Sequence, residues 1–150
     1  AEPKPIDLIR TWGESGYSIG FTNGCFDLIH PGHISLFHHA KNECDKLVVG
    51  LNSDSSVAKL KGKDRPIQKE NARATVLLAL KDVDVVIIFN EETPIKLIEL
   101  IKPDVLIKGG DYKIDEIVGA EFIQQNGGRV VLSDYKNGHS TSEIIKKIER

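Results

Sequence analysis

Cysteine is scarce in this chain. Cys25 and Cys44 are its two cysteines among 150 residues, too few and too oddly spaced for a disulfide framework, which fits a reducing compartment. Long apolar runs are missing as well. Nothing approaches the roughly 18 consecutive apolar residues of a membrane helix, and no leader-like segment stands out. A soluble, cytoplasmic protein with no membrane partner is the expectation. Neither sign of charge dominates, with 20 Lys and Arg against 22 Asp and Glu and a net charge of −2. Such a chain has no field with which to hold a nucleic acid, so local lysines must meet any phosphate. No G-x-G-x-x-G follows the first apolar run, which disfavours a dinucleotide-dependent dehydrogenase. Repeats, low-complexity tracts and domain boundaries are absent too. With 40% hydrophobic and 28% charged residues, the 150 residues suit one domain. Residues 1–5, polar and proline-bearing, are expected to be loosely held.

What is present alternates strand and helix. Tyr17–Thr22, Lys46–Leu51, Val83–Phe89, Val105–Lys108 and Arg129–Ser133 read as strands, the second with the continuous apolar character of a strand covered on both faces. Helical spacing marks Ile6–Trp12, Ile34–Asn42, Asn71–Leu80, a helix from Thr93-Pro94 to about Lys102, Ile114–Asn126 with a break near Gly119, and Thr141–Ile148. Thr93 is the expected N-cap and Pro94 the first helical residue, while Lys59–Gln68 reads as a charged loop. This order predicts an α/β fold: a Rossmann-like open parallel sheet of about five strands with helices on both faces. The turn after the first strand, Asn52–Asp54, Gly109–Asp111 and Asn137–Ser142 all follow strands directly. They should gather at the carboxyl edge, where such sheets bind ligands near the switch in strand order.

The stretch from Thr22 to His33 sits at the centre of that edge. It runs strand, turn, helix start, with His30 and His33 flanking Pro31 and Gly32. Open amides and the positive end of a helix dipole favour an anion there, and two imidazoles point to a triphosphate. A capping pair with no ligand is the plainer alternative. A zinc site drawn from Cys25, His38 and His39 is disfavoured, because adjacent helical residues cannot share a face.

Gly24-Cys25-Phe26-Asp27-Leu28-Ile29-His30-Pro31-Gly32-His33 resembles the G-x-F-D-x-x-H-x-G-H signature of the cytidylyltransferase-like nucleotidyltransferases. Asn52-Ser53-Asp54, Lys61-Gly62-Lys63-Asp64-Arg65-Pro66, Lys108-Gly109-Gly110-Asp111-Tyr112 and Gly138-His139-Ser140-Thr141-Ser142 extend the resemblance over nearly the whole chain. Its strongest likeness is to those family members that adenylylate a heptose 1-phosphate. The resemblance implies transfer of AMP from ATP to D-glycero-β-D-manno-heptose 1-phosphate, giving ADP-heptose and pyrophosphate, with Mg²⁺ carried by the nucleotide and no metal ligand from the protein. It also implies a homodimer or higher homo-oligomer. Two other readings compete: a cytidylyltransferase using CTP and glycerol 3-phosphate, and a non-catalytic nucleotide-binding module.

Residue by residue, the resemblance implies catalytic roles for His30, His33 and Lys63. It implies nucleotide contacts for Asn23, Gly24, Cys25, Phe26, Gly32, Lys63, Arg73, Gly110, Asp111, Ser140 and Thr141. Asp27, Lys61, Asn52 and Asp54 fall to the acceptor side. Beside each stands a plainer role: core packing for Phe26, solvated charges for Lys61 and Lys63, a surface ion pair for Arg73, helix caps for Asp111 and Ser140. Gly24 is expected to let backbone approach a phosphate closely. Cys25 is not expected to act as a nucleophile, since it has no evident base.

Overall fold

The computed structural model describes residues 4–133. Strands β1 (Ile19–Gly24), β2 (Lys46–Asn52), β3 (Val85–Phe89), β4 (Val105–Gly109) and β5 (Arg129–Ser133) form one parallel sheet in the order β3-β2-β1-β4-β5. The order reverses between β1 and β4. Strand alternation divides the core accordingly. Phe21, Val48 and Leu106 point to one face and join Ile9, Ile98 and Ile123, from α1 (Pro5–Glu14), α5 (Ile95–Ile101) and α6 (Ala120–Gln125). Leu47, Val49 and Ile107 point to the other and meet Phe37, Ala40 and Leu77, from α2 (Pro31–Asn42) and α4 (Glu70–Leu78). The expected open parallel α/β sheet with helices on both faces is what forms.

At the amino edge, Asp45, Asp104 and Asp84 accept the backbone N–H groups of Ser18, Ile19 and Leu47, each at 2.8 Å. These carboxylates close donors that the sheet leaves open.

Local boundaries differ from the sequence reading in instructive ways. Pro5 opens α1 with Lys4 as its N-cap, so residues 4 and 5 belong to the fold. The first strand begins two residues later than expected and runs to Gly24. Lys59–Gln68 is not all loop: α3 (Asp54–Lys61) starts directly after β2, with the Ser53 hydroxyl accepting from the Ser56 N–H at 3.2 Å. Its end is set by Gly62, whose φ of 106° a side chain would disfavour. The α5 N-cap is Pro94 rather than Thr93, and no side chain caps it. Between β4 and α6 the first helical piece is a 3₁₀ turn at Ile114–Glu116. The expected closing helix Thr141–Ile148 lies outside the described residues.

Candidate functional site

β1 ends at the middle of the carboxyl edge, and the signature loop begins there. Phe26 adopts φ 45°, a left-handed conformation unusual for a bulky residue. That turn swings its ring back over Gly24, where a Cβ would come within 2.9 Å of the ring. Gly24 therefore makes room for the Phe26 ring. The Phe26 ring then meets His33 edge-on at 5.2 Å between centroids and Phe37 at 5.1 Å. So Phe26 anchors the loop in the core and positions His33.

His30 is the N-cap of α2. Its Nδ1 accepts the Gly32 N–H at 3.2 Å, and His33 Nδ1 accepts the His30 N–H at 3.4 Å. This is a reciprocal capping box built from imidazoles instead of a hydroxyl and a carboxylate. The two rings stack at 3.7 Å with 26° between planes. One sequence expectation needs correcting here. The amides of Gly32, His33 and Ile34 are already bonded to His30, and Pro31 has no N–H, so α2 does not offer open amides to an anion. The imidazoles replace them. A backbone N–H can only donate, so both Nδ1 atoms are acceptors and both rings carry their proton on Nε2.

Burial first, then the charges of His30 and Lys61, push the His33 pKa from 6.5 down to about 3. His33 is therefore neutral at pH 7, a hydrogen-bond donor through Nε2 that takes up no proton. The unfolded chain binds a proton that the fold refuses between those two values. Stability from this group is thus fully present above pH 6.5 and is lost as pH falls toward 3, by up to about 1.4 kcal/mol per pH unit. Denaturant unfolding measured across that window checks the slope, and His33→Gln is expected to flatten it.

Around the loop, two charged residues act as braces. Arg73, only 1% exposed, donates from Nε to the Gln68 carbonyl (2.9 Å), from Nη1 to the carbonyls of Cys25 (2.8 Å) and Asn52 (2.7 Å), and from Nη2 to Asp54 Oδ1 (2.9 Å). It ties together the ends of β1 and β2 and the segment before α4. Asp27 is also enclosed. Its carboxylate accepts from Arg65 Nε at 3.1 Å and from the N–H groups of Ile67 and Gln68 at 2.7 and 2.9 Å. Arg73 is thus a buried brace and not a surface ion pair, and Asp27 clamps the loop after α3, each bonded to protein partners. Asn52 is likewise bonded within the protein: its side chain is buried and donates to Ser56 Oγ at 2.9 Å. Asp54 keeps part of its surface beside the site while pairing with Arg73.

Lys61 ends α3 close enough to His33 and Cys25 to act on both electrostatically. Lys63 is exposed on the following loop. Asn23 closes β1 beside Gly24. Burial raises the Cys25 thiol above its ordinary pKa, although Lys61, Arg73 and Arg65 pull it back. A protonated thiol is a poor nucleophile. Gly110 follows β4 at φ 103° and donates its N–H to the Ser133 carbonyl at 3.1 Å, so that amide is not available to a nucleotide. Asp111 is exposed at the same edge and does not cap the 3₁₀ turn, which has no side-chain cap. Ser140 and Thr141 lie outside the described residues. Lys108, quoted in a motif but given no role of its own from sequence, lies at the end of β4, half-buried with its ammonium 5.3 Å from the Tyr112 ring centroid. A lysine closing an otherwise apolar strand was the available signal.

Among the described residues, no three His, Cys, Asp or Glu side chains gather as a metal cage. No helix among them is long and apolar enough to cross a membrane.

A parallel sheet in this order, with paired histidines starting a helix beside its switch point, defines an α/β domain of the nucleotidyltransferase type. Residues 21–147 match the Cytidylyltransferase-like family, and the chain belongs to that family. It is 56% identical over 142 residues to the bifunctional protein HldE of Paramagnetospirillum magneticum, covering 95% of this chain. It is 52% identical over 141 residues to HldE of Caulobacter vibrioides, covering 94%. The chain spans 29% of the length of each. Among solved structures, the lipopolysaccharide core biosynthesis protein of Thermoplasma volcanium superposes with a TM-score of 0.66 at 34% identity, over 81% of this chain and 98% of that one. A pantoate-beta-alanine ligase from Francisella tularensis shares the fold alone, with a TM-score of 0.63 at 22% identity over 97% of this chain and 72% of that one.

Proposed function

We propose that this domain transfers AMP from ATP to D-glycero-β-D-manno-heptose 1-phosphate, releasing pyrophosphate and forming ADP-heptose for lipopolysaccharide or surface-glycan synthesis. One observation carries the reading: His30 and His33 spend Nδ1 on the backbone and so carry their protons on Nε2, at the start of α2. Neutral donors of that kind suit a reaction that builds charge on phosphate oxygens without needing a base. A sugar 1-phosphate is already largely ionised at neutral pH, since its second pKa is near 6. An oxygen of that phosphate attacks the α-phosphorus of ATP, a P–O bond forms, and the bond from the α-phosphorus to the α,β-bridging oxygen breaks. Pyrophosphate leaves with that bridging oxygen and the bond's electron pair. The histidine Nε2–H groups donate to the oxygens that gain charge, and preorganisation supplies the rate.

Two phosphates repel, so holding them in line requires cations between them. Lys61 and Lys63 fill that role in this reading, Lys61 toward the acceptor and Lys63 toward the nucleotide. Mg²⁺ enters with ATP and supplies charge neutralisation of the phosphates, held by them and not by a protein cage. In this reading the reaction is a cytoplasmic one, where ATP and sugar phosphates are at hand. Likeness to a lipopolysaccharide core biosynthesis protein supports the lipopolysaccharide side of this reading.

Pyrophosphate release measured with Mg²⁺, each nucleoside triphosphate and each candidate acceptor tests the proposal. Release is expected with ATP and heptose 1-phosphate. Release with CTP and glycerol 3-phosphate would replace it with the cytidylyltransferase reading. Nucleotide binding without turnover on any pair would leave a binding module.

A further inference from the structure

Lys108 is the penultimate residue of β4, on the β4 side of the switch point. Its neighbour across that point is the signature loop, and it lies close enough to the Cys25 thiol for the two to interact. Gly110, at φ 103°, turns the chain after β4 so that the Tyr112 ring comes against the Lys108 ammonium. Among the described residues, no carboxylate lies within ion-pair distance of it. Burial accordingly pulls its pKa below the usual lysine value. A half-buried cation with no carboxylate beside it among the described residues is costly, and an aromatic face offsets only part of that. This one is held at the edge where an α/β sheet receives its ligand.

We propose that Lys108 is a phosphate-binding residue of this site, its ammonium held by Tyr112 toward the triphosphate of the nucleotide. The assignment rests on the nucleotidyl-transfer reading above and adds a residue to it. Lys61 comes from the β2 side through α3, and Lys108 comes from the β4 side. The two lysines therefore bracket the signature loop: Lys61 acts on Cys25, and Cys25 acts on Lys108. Crevices at a switch point take the nucleotide between the two flanking strands, here β1 and β4, which gives Lys108 the nucleotide and leaves Lys61 the acceptor.

Calorimetric titration of the full chain with ATP and with adenosine, both in Mg²⁺ and without acceptor, tests this. Lys108→Met keeps the volume and removes the charge. It is expected to weaken ATP binding about 10- to 100-fold while leaving adenosine binding and the unfolding midpoint unchanged or the midpoint raised. Lys108→Arg is expected to retain most of the preference for ATP over adenosine. Unchanged ATP affinity in Lys108→Met overturns the assignment, and so does equal weakening of ATP and adenosine. Wild-type protein that binds ATP but turns over no heptose phosphate sinks the proposed reaction while this assignment stands. Wild-type protein that binds no ATP sinks both.

Discussion

His33→Ala is expected to lower turnover about 100- to 1000-fold, the loss typical when one preorganised donor to a developing oxyanion is removed. The variant strips the Nε2–H that this reading aims at the reacting phosphates. It also strips a capping acceptor and the edge contact with Phe26, so some stability goes with it, on the order of 1 kcal/mol for the cap. The two effects separate by their size and by comparison with His33→Gln. Glutamine can still accept the His30 N–H through its carbonyl and donate through its amide, though from a different geometry, and is expected to recover part of the rate. Steady-state kinetics beside denaturant unfolding reads both quantities. A turnover loss no greater than the fraction unfolded explains would mean that the histidine pair is a cap and nothing more.

The loss should fall on kcat with ATP KM little changed, because a donor to charge that develops during attack acts mainly in the transition state. The pH profile should follow the ionisation of the acceptor phosphate, whose second pKa is near 6, and carry no further step from His33 above it. His33 has its pKa pushed down to about 3, so there is no proton to lose between pH 6 and 8. A step in rate beyond that of the acceptor phosphate, present in the wild type and lost in His33→Gln, would point to a general base and against donation.

How far the sequence reaches is clearest at this histidine pair. Its spacing, the strand before it and the helix after it were all legible, because a parallel sheet forces loops after strands onto one edge. Gly109–Asp111 arrived at that edge for the same reason. What could not be read were contacts made to backbone. Asp27 and Arg73 bond to amides and carbonyls from segments distant in sequence, and no periodicity encodes such partners. One local hint existed. Arg73 and Leu77 lie four apart on α4 and both are buried, so the arginine shares the apolar stripe of its helix. The helix α3 was missed because Asp54–Lys61 buries only Ser56 and Val57, too few to show a 3.6-residue period. Polar capping by Ser53 holds its start instead.

Arg73 yields the second large expectation. Arg73→Leu should cost about 3–5 kcal/mol of stability, the range for breaking a buried ion pair by removing one partner. Leucine fits the stripe beside Leu77, so the cost is not a packing defect. It comes from the groups left behind: the carbonyls of Cys25, Asn52 and Gln68 and the Asp54 carboxylate. Each buried acceptor stranded without a donor costs about 1–3 kcal/mol. Against a typical total of about 5–15 kcal/mol, the variant is expected to lose much of its stability. Arg73→Lys should recover little, since a single ammonium cannot span acceptors arranged around a planar fork. The same bonds fix the Cys25 turn that carries His30 and His33. Below its lowered midpoint, the folded variant should therefore also lose turnover, without any contact of Arg73 with substrate. Denaturant unfolding of both variants, followed by kinetics on the folded fraction, checks this. A stability loss under about 1 kcal/mol would mean that the guanidinium is solvated and that the sheet edge holds its shape by other means.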